Sequence, residues 1–120
     1  MSRNLSVGKA SEEFVASFLE NRGAVILARN YAVHNVGELD IVCRYKSRVL
    51  VIEVKSRDFR GRFGTPEEAV TPMKMNKIFR TTSYFCKEHH IQPEAVSYFV
   101  AGVIHDAAGN ALQLQFTPFF

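Results

Sequence analysis

The sequence predicts an α/β fold in which a mixed β-sheet is flanked by helices, with the element order α-β-β-β-α-β-β. Two segments have the apolar spacing of amphipathic helices, and five shorter segments have the alternation or the Val/Ile content of strands. No internal repeat or linker interrupts them. A length of 120 residues, of which 47% are hydrophobic, predicts one domain spanning residues 1–120.

The first half of the chain predicts a helix followed by three strands. The helix is expected over residues 4–22, with Gly23 as its C-terminal stop. The first strand begins at residue 24 and ends at Leu27 or continues to Val33. One side of the helix carries an apolar cluster: Leu5, Phe14, Val15, Phe18 and Leu19.

Residues 38–45 and 48–55 predict the second and third strands, joined by a hairpin turn at Lys46 and Ser47. The Val, Ile and Leu content of the third is typical of a sheet interior. The second alternates, which places Leu39, Ile41, Cys43 and Tyr45 on one face and Glu38, Asp40, Val42 and Arg44 on the other.

The second half predicts a loop, a long helix and two strands. Residues 57–65 contain two Gly and three Arg without periodicity, which indicates a mobile surface loop. Pro72 suits the first turn of a helix that continues to about His90. Strands at 95–105 and 111–117 follow, joined by a turn over 107–110. The helix is expected to bury Met75, Ile78, Phe79, Thr82, Phe85, Cys86 and His89, and to expose Lys74, Lys77, Arg80, Tyr84 and Lys87.

Composition argues against membrane and secreted classes. Apolar runs such as Val49 to Ile52 are far short of the roughly 20 residues that span a bilayer. The first 13 residues read as polar and helical rather than as a signal segment. Cys43 and Cys86 have no metal-type spacing and are expected to be buried, reduced thiols rather than a disulfide. A cytoplasmic protein with no membrane association is predicted.

Charge is unevenly distributed along the chain. Between Arg44 and Arg80 there are ten Lys/Arg and four Asp/Glu, a balance of +6, whereas the whole chain carries +3. Basic charge in the middle third favours a polyanionic partner, although solvated protein faces are also often basic.

Asp40 and Glu53 are the candidate metal ligands. A two-residue turn at Lys46 and Ser47 places these carboxylates directly opposite each other, with Cβ atoms about 5 Å apart. Carboxylates at that distance repel each other unless a cation lies between them, and Mg²⁺ or Mn²⁺ fits oxygen ligands of this kind. Such an ion neutralises phosphoryl charge and activates water. Lys55 lies on the same face and could steer that water or stabilise developing negative charge.

Glu12 and Glu38 are further acidic candidates. Glu12 lies near the apolar side of the first helix, where a carboxylate needs a partner, whereas Glu13 points away. Glu38 falls across the hairpin from Lys55. The alternative is an ordinary surface ion pair between Glu53 and Lys55, which is less favoured because apolar residues cover the rest of both strand faces.

Several segments of the sequence, including those around Asp40 and Glu53, resemble the YraN family of small bacterial proteins, which is described as endonuclease-like. The resemblance covers nearly the whole chain: Gly8, Glu12, Ala16 and Leu19; residues 28–31; residues 37–42 and 51–57; Phe63-Gly64; residues 69–72; and Lys74. It implies a restriction-endonuclease-like core of the PD-(D/E)xK type, related to archaeal Holliday-junction resolvases. In such folds the metal-binding and catalytic groups would be Glu12, Asp40, Glu53 and Lys55. Two departures are Ser11, where the family usually has Gly, and Val36, where a basic residue is common.

The function predicted is therefore metal-dependent hydrolysis of DNA phosphodiesters, with branched or junction DNA as one substrate class. The rivals are a non-catalytic nucleic-acid-binding module of the same fold and a protein-binding adaptor. Junction resolvases act as dimers, so a homodimer is expected by analogy only. Phe59 and Phe63 would either stack on bases or anchor their loop. The residues expected to bind nucleic acid are Arg57, Arg60, Arg62, Lys74 and Lys77.

Overall fold

The computed structural model describes residues 7–60 and 70–119. The predicted fold class and element order are confirmed: two helices flank a five-stranded sheet. The elements are helix α1 (Val7–Asn21), strands β1 (Val25–Val33), β2 (Gly37–Tyr45) and β3 (Arg48–Asp58), helix α2 (Pro72–His89), and strands β4 (Val96–His105) and β5 (Ala111–Pro118).

The strands lie in the order β1-β2-β3-β4-β5, and only the β3–β4 pair is parallel. This follows from the connections, because tight turns return the chain antiparallel whereas α2 carries it across the sheet from β3 to β4. Lys46 adopts a left-handed conformation (φ 56°) in the β2–β3 turn. The predicted hairpin register is confirmed from Tyr45 opposite Arg48 to Ile41 opposite Ile52.

The two sheet faces hold two separate apolar layers. Val15, Ala16 and Leu19 of α1 pack on Ile41, Cys43, Ile52, Ala101 and Val103. Ile78, Phe85 and Cys86 of α2 pack on Leu39, Val42, Val49, Val51 and Val100. Cys43 and Cys86 thus lie in different layers, and both are buried free thiols, as predicted. The sheet interior is therefore covered on both sides, which explains why β3 is apolar on both faces.

Several sequence predictions need correction. β3 continues to Asp58, so Arg57 belongs to a strand and not to the predicted loop. β1 takes the longer of its two predicted extents. His89 was expected inside but is exposed and stacks on Phe85. Residues 61–69, with Arg62 and Phe63, lie outside the described residues, as does Leu5.

Neither helix described in residues 7–60 and 70–119 is long and apolar enough to cross a membrane.

Helix α2 approaches strand β2 most closely at Gly37. A Cβ atom at Gly37 would lie 2.6 Å from Oγ1 of Thr81, whose side chain is fully buried. Thr81 Oγ1 also donates a hydrogen bond to the Lys77 carbonyl at 2.7 Å, so the hydroxyl is held in place. Glycine at this position is required by the contact between helix and strand, and that contact fixes how α2 lies over the N-terminal end of β2.

Substituting Gly37→Ala should therefore destabilise the protein by about 1–3 kcal/mol, because the new methyl group overpacks the Thr81 contact. Thr81→Ala removes the clashing oxygen, so the double variant Gly37→Ala/Thr81→Ala should lose less than the sum of the two single losses. Urea unfolding of the four proteins measures this coupling. Equal stability of Gly37→Ala and the parent protein would contradict it.

Candidate active site

The hydrogen-bond ladder between β2 and β3 ends at Ile41 and Ile52, and Asp40 and Glu53 are the next residues along. Their side chains take over the backbone groups there. Asp40 Oδ2 accepts from Val54 N–H at 2.8 Å, and Asp40 N–H donates to Glu53 Oε2 at 3.5 Å. The two carboxylates are therefore neighbours, as the register predicted, and each is tied to the opposite strand.

Strand β1 is also irregular at this point. Its pairing with β2 includes Arg29 opposite Ile41 and Tyr31 opposite Leu39, and no pair joins Asn30 to Asp40. Asn30 adopts a left-handed conformation (φ 53°), which Asn tolerates better than most residues.

Strand β2 departs from regular alternation at the same level of the sheet. Leu39 packs in the α2-side layer and Ile41 in the α1-side layer, although residues two apart on a regular strand share a face. The prediction that Leu39 and Ile41 lie together is therefore wrong. The change of face falls at Asp40, between them.

Asn30 also links the sheet to helix α1. Its Nδ2 atom donates to Glu12 Oε1 at 3.4 Å, and Lys9 Nζ lies 3.9 Å from the same oxygen. Burial raises the pKa of Glu12, and the charge of Asp40 raises it further. Glu13 instead pairs with Arg29 at 3.1 Å, away from the carboxylates, as predicted.

Ser11 provides a second link between α1 and the site. It is 5% exposed, and Ser56 Oγ donates to its Oγ at 2.5 Å. Ser56 follows Lys55 directly, so the helix is bonded to β3 beside the candidate lysine. The departure from the family's usual Gly at this position thus adds a contact without removing a candidate ligand.

Glu53 is the most buried carboxylate of the group, at 3% exposure. Burial raises its pKa to about 7, with the charge of Asp40 adding to the rise. Lys74, in the first turn of α2, opposes that rise, because its Nζ lies 3.9 Å from Glu53 Oε1. Lys74 was expected on the outer face of α2, and that expectation is wrong: its ammonium group faces the carboxylates.

Lys55 and Lys74 converge on the same carboxylates. The proximity of Lys74 lowers the pKa of Lys55, and burial lowers it further, while the charges of Glu53 and Asp40 oppose the change. Two ammonium groups therefore balance carboxylates that would otherwise repel one another.

A cavity of about 360 Å³ opens beside Asp40 and Glu53. Its walls come from the start of β2 and the first two turns of α2: Gly37, Glu38, Thr71, Met73, Lys74, Lys77 and Ile78. Thr71 caps the helix by accepting from Lys74 N–H at 3.2 Å, which fixes the helix start at the cavity. Both acidic and basic groups thus line this cavity.

The structure brings together some of the predicted site residues and separates others. Asp40, Glu53 and Lys55 converge, Glu38 lies at the cavity, and Glu12 approaches through Asn30. Arg60 turns back to the buried Asp58. Its backbone N–H donates to Asp58 Oδ1 at 3.0 Å and its Nη2 donates to Asp58 Oδ2 at 2.9 Å, and its guanidinium group lies over Phe59. The Arg60 side chain remains 52% exposed, so its role in binding nucleic acid stays a prediction.

The sequence analysis missed Asn30 as a site residue and assigned the wrong direction to Lys74. Asn30 entered it only as part of a family block, although an Asn inside an apolar strand is itself a signal of a left-handed irregularity. Lys74 was placed on the exposed face of its helix. Its position two residues after Pro72, in the first turn, could have indicated a cation held near acidic groups, because the helix dipole disfavours lysine there.

The donor set fits a hard divalent cation through two carboxylates. Among residues 7–60 and 70–119, no group of three or more His, Cys, Asp or Glu side chains is arranged to hold a metal ion. Glu12 is instead occupied by Asn30 and Lys9. Asp40 and Glu53 could supply two oxygen ligands, and Mg²⁺ usually takes one or two carboxylates with its remaining positions filled by water and phosphate.

Comparison with known proteins finds one family. The family described as "Uncharacterised protein family UPF0102" matches residues 11–104. Relatives named UPF0102 protein include one from Dictyoglomus turgidum, 31% identical over 115 residues (96% of each chain), and one from Syntrophomonas wolfei, 39% identical over 84 residues (70% of this chain and 71% of the relative). A third, from Leifsonia xyli, is 31% identical over 110 residues, 92% of each chain. This is the family also called YraN, so the resemblance is confirmed.

The stability of the metal-free protein should fall as pH rises from about 4.5 to about 7. Across this window the unfolded chain has released the Glu53 proton while the folded chain still holds it, since the pKa of Glu53 is raised from 4.5 to about 7 in the fold. The folded state thus binds more protons, and deprotonation costs stability. Glu53→Gln removes the titrating carboxyl group, so the melting temperature of this variant should fall less than that of the parent protein over the same pH range.

Thermal unfolding in EDTA between pH 4 and pH 8 measures the difference. Glu20→Gln, an exposed glutamate on α1, is the matched control and should keep the parent's slope. Parallel curves for the parent and Glu53→Gln would show that Glu53 is not the group responsible.

Proposed function

The chain belongs to the UPF0102 family, and from the geometry of its carboxylate pair we propose that it is a divalent-metal-dependent endonuclease that hydrolyses phosphodiester bonds in DNA. The observation that carries the proposal is the pairing of Asp40 with a 3% exposed Glu53 where the strand ladder ends, with Lys55 beside them. Burying the Glu53 carboxylate beside the half-buried Asp40 carboxylate is unfavourable in itself. Such an arrangement is expected where a charged ligand or reaction repays the cost.

Each side chain has a distinct task in this reaction. Val54 N–H orients the carboxylate of Asp40, and Glu53, once ionised, supplies the second oxygen ligand. A bound Mg²⁺ or Mn²⁺ would neutralise the phosphoryl oxygens and lower the pKa of a water molecule. Lys55 can donate a hydrogen bond to the attacking water or to the negative charge that develops on the phosphate. Glu12 lies close enough to Asp40 for the two carboxylates to interact electrostatically, but its own side chain is hydrogen-bonded to Asn30.

DNA is the favoured substrate because cations line the same cavity as the acids. Lys74 and Lys77 stand on α2 over Glu53, and the middle third of the sequence carries the basic excess. Phosphate contacts of this kind position a nucleic acid without reading its sequence. Branched or junction DNA is one substrate class of the proposal, suggested by the family resemblance to junction resolvases.

Purified protein with Mg²⁺ or Mn²⁺ should cleave at least one of duplex, single-stranded, flap and four-way junction DNA. Asp40→Asn and Glu53→Gln should each remove cleavage, and Lys55→Ala should lower kcat about 10²–10³-fold, because each removes a ligand or a donor to developing charge. Binding should survive in Asp40→Asn, since one negative charge near the phosphate is lost. Gel assays with and without EDTA measure both.

Glu20→Gln should behave as the parent protein. Salt-sensitive binding with no cleavage by the parent on any substrate would instead support the rival, a non-catalytic nucleic-acid-binding module. If the protein binds no nucleic acid, the remaining hypothesis is that it is a protein-binding adaptor.

Nucleic-acid affinity should depend on the two cavity lysines. The double variant Lys74→Gln/Lys77→Gln should weaken binding of a nuclease-resistant phosphorothioate duplex and flatten the dependence of log K on log [salt] by about 1.8, since each phosphate contact contributes about 0.9. Lys87→Gln, an exposed lysine at the far end of α2, is the control and should change neither. Binding titrations at several salt concentrations measure the slope. An unchanged slope in the double variant would place the DNA surface elsewhere.

A further inference from the structure

Lys74 occupies an unusual position for a lysine. It lies in the first turn of an 18-residue helix, where the N–H groups and the helix dipole repel a cation. Its backbone is fixed there by the Thr71 cap and by Pro72. The side chain nevertheless bends to Glu53 rather than extending into solvent, and it remains 37% exposed. Attraction by the carboxylates must therefore offset the repulsion at the helix end.

The ammonium group lies beside the Glu53 oxygen that does not face the Asp40 backbone. Lys74 Nζ is 3.9 Å from Glu53 Oε1, whereas Glu53 Oε2 is directed to Asp40 N–H. An ion bound to Glu53 would sit within about 2–2.5 Å of a carboxylate oxygen. Its double charge would then repel the ammonium group about twice as strongly as a single charge at the same distance. A divalent ion at Glu53 therefore disfavours the present position of the Lys74 ammonium group.

We propose that Lys74 is the counter-cation of the metal-free site, that a divalent ion displaces it from Glu53, and that the displaced ammonium group then binds the substrate phosphate in the same cavity. The inference rests on the proposed function, because it needs a metal ion at Asp40 and Glu53. It assigns Lys74 a role distinct from that of Lys55, whose backbone is fixed within β3.

The geometry gives the displaced side chain a place to go. Lys74 belongs to the wall of the 360 Å³ cavity, next to Thr71 and Lys77, and its flexible four-carbon stem can reorient within that space. A phosphate that enters the cavity with the metal ion would meet Lys74 released from Glu53. Without metal, the same lysine is held by Glu53 and is less available to DNA. Lys74 therefore contributes to DNA binding mainly in the metal-loaded protein.

The test measures Mn²⁺ affinity of the full chain without nucleic acid, by calorimetry or by electron paramagnetic resonance at pH 8. Lys74→Gln should bind Mn²⁺ about five- to tenfold more tightly than the parent, because the competing charge is gone. Lys74→Arg keeps the charge and should bind as the parent does. Lys77→Gln removes an equal charge from the same cavity without a Glu53 ion pair, and should change affinity less than about twofold.

A second measurement follows the ammonium group to the phosphate. Lys74→Gln should weaken binding of a phosphorothioate oligonucleotide more at saturating Mn²⁺ than in EDTA. An equal loss in the two conditions would overturn the relocation of Lys74.

Two failures can be told apart. Unchanged or weaker Mn²⁺ binding in Lys74→Gln, with parent binding that Asp40→Asn abolishes, overturns the role of Lys74 and leaves the proposed function standing. Absence of any Mn²⁺ binding sensitive to Asp40→Asn overturns both. A melting curve for each variant checks that it is folded, and Lys74→Met, which also removes the charge, takes the place of Lys74→Gln if that variant is unfolded.

Discussion

The end of the β2–β3 ladder is the feature on which the rest of the site depends. Beyond Ile41 and Ile52 the backbone groups of the two strands are bonded by carboxylates, with Asp40 Oδ2 accepting from Val54 N–H and Glu53 Oε2 facing Asp40 N–H. A buried backbone group needs a partner, so the two acidic side chains are held in place by the sheet itself. The opposing irregularity at Asn30 keeps β1 from pairing with Asp40.

Holding two carboxylates side by side is electrostatically unfavourable, and the neighbouring positive charges offset this only in part. Burial and the charge of Asp40 raise the pKa of Glu53 to about 7, so near neutral pH this carboxylate is divided between its two protonation states. Lys55 and Lys74 supply positive charge, yet their own proximity lowers the pKa of Lys55. The site is thus stabilised further by any cation that binds both carboxylates.

The two helices contribute to the site in different ways. Helix α1 is tied to the acidic end of the sheet through Glu12 with Asn30 and through Ser11 with Ser56. Helix α2 brings basic side chains over the same carboxylates, and its distance from β2 is set by the contact of Gly37 with Thr81. Acidic groups therefore come mainly from strands, whose spacing is rigid, while the mobile lysine ends come from the helix on the opposite side of the cavity.

The sequence by itself determined the element order, the hairpin register and the meeting of Asp40 with Glu53, because these depend on local patterns: a two-residue turn, strand alternation and helical periodicity. Only the tertiary structure decided the face of Leu39, the direction of Lys74 and the partners of Glu12 and Arg60. The first three depend on contacts between segments that are far apart in the sequence: β1 beside β2, α2 over β3, and α1 beside β1. Arg60 turns to Asp58 only two residues away, but it is the fold that buries Asp58. Periodicity shows which residues share a side of an element. It does not show which charged groups lie on the neighbouring element, and those groups determine how a flexible side chain is oriented.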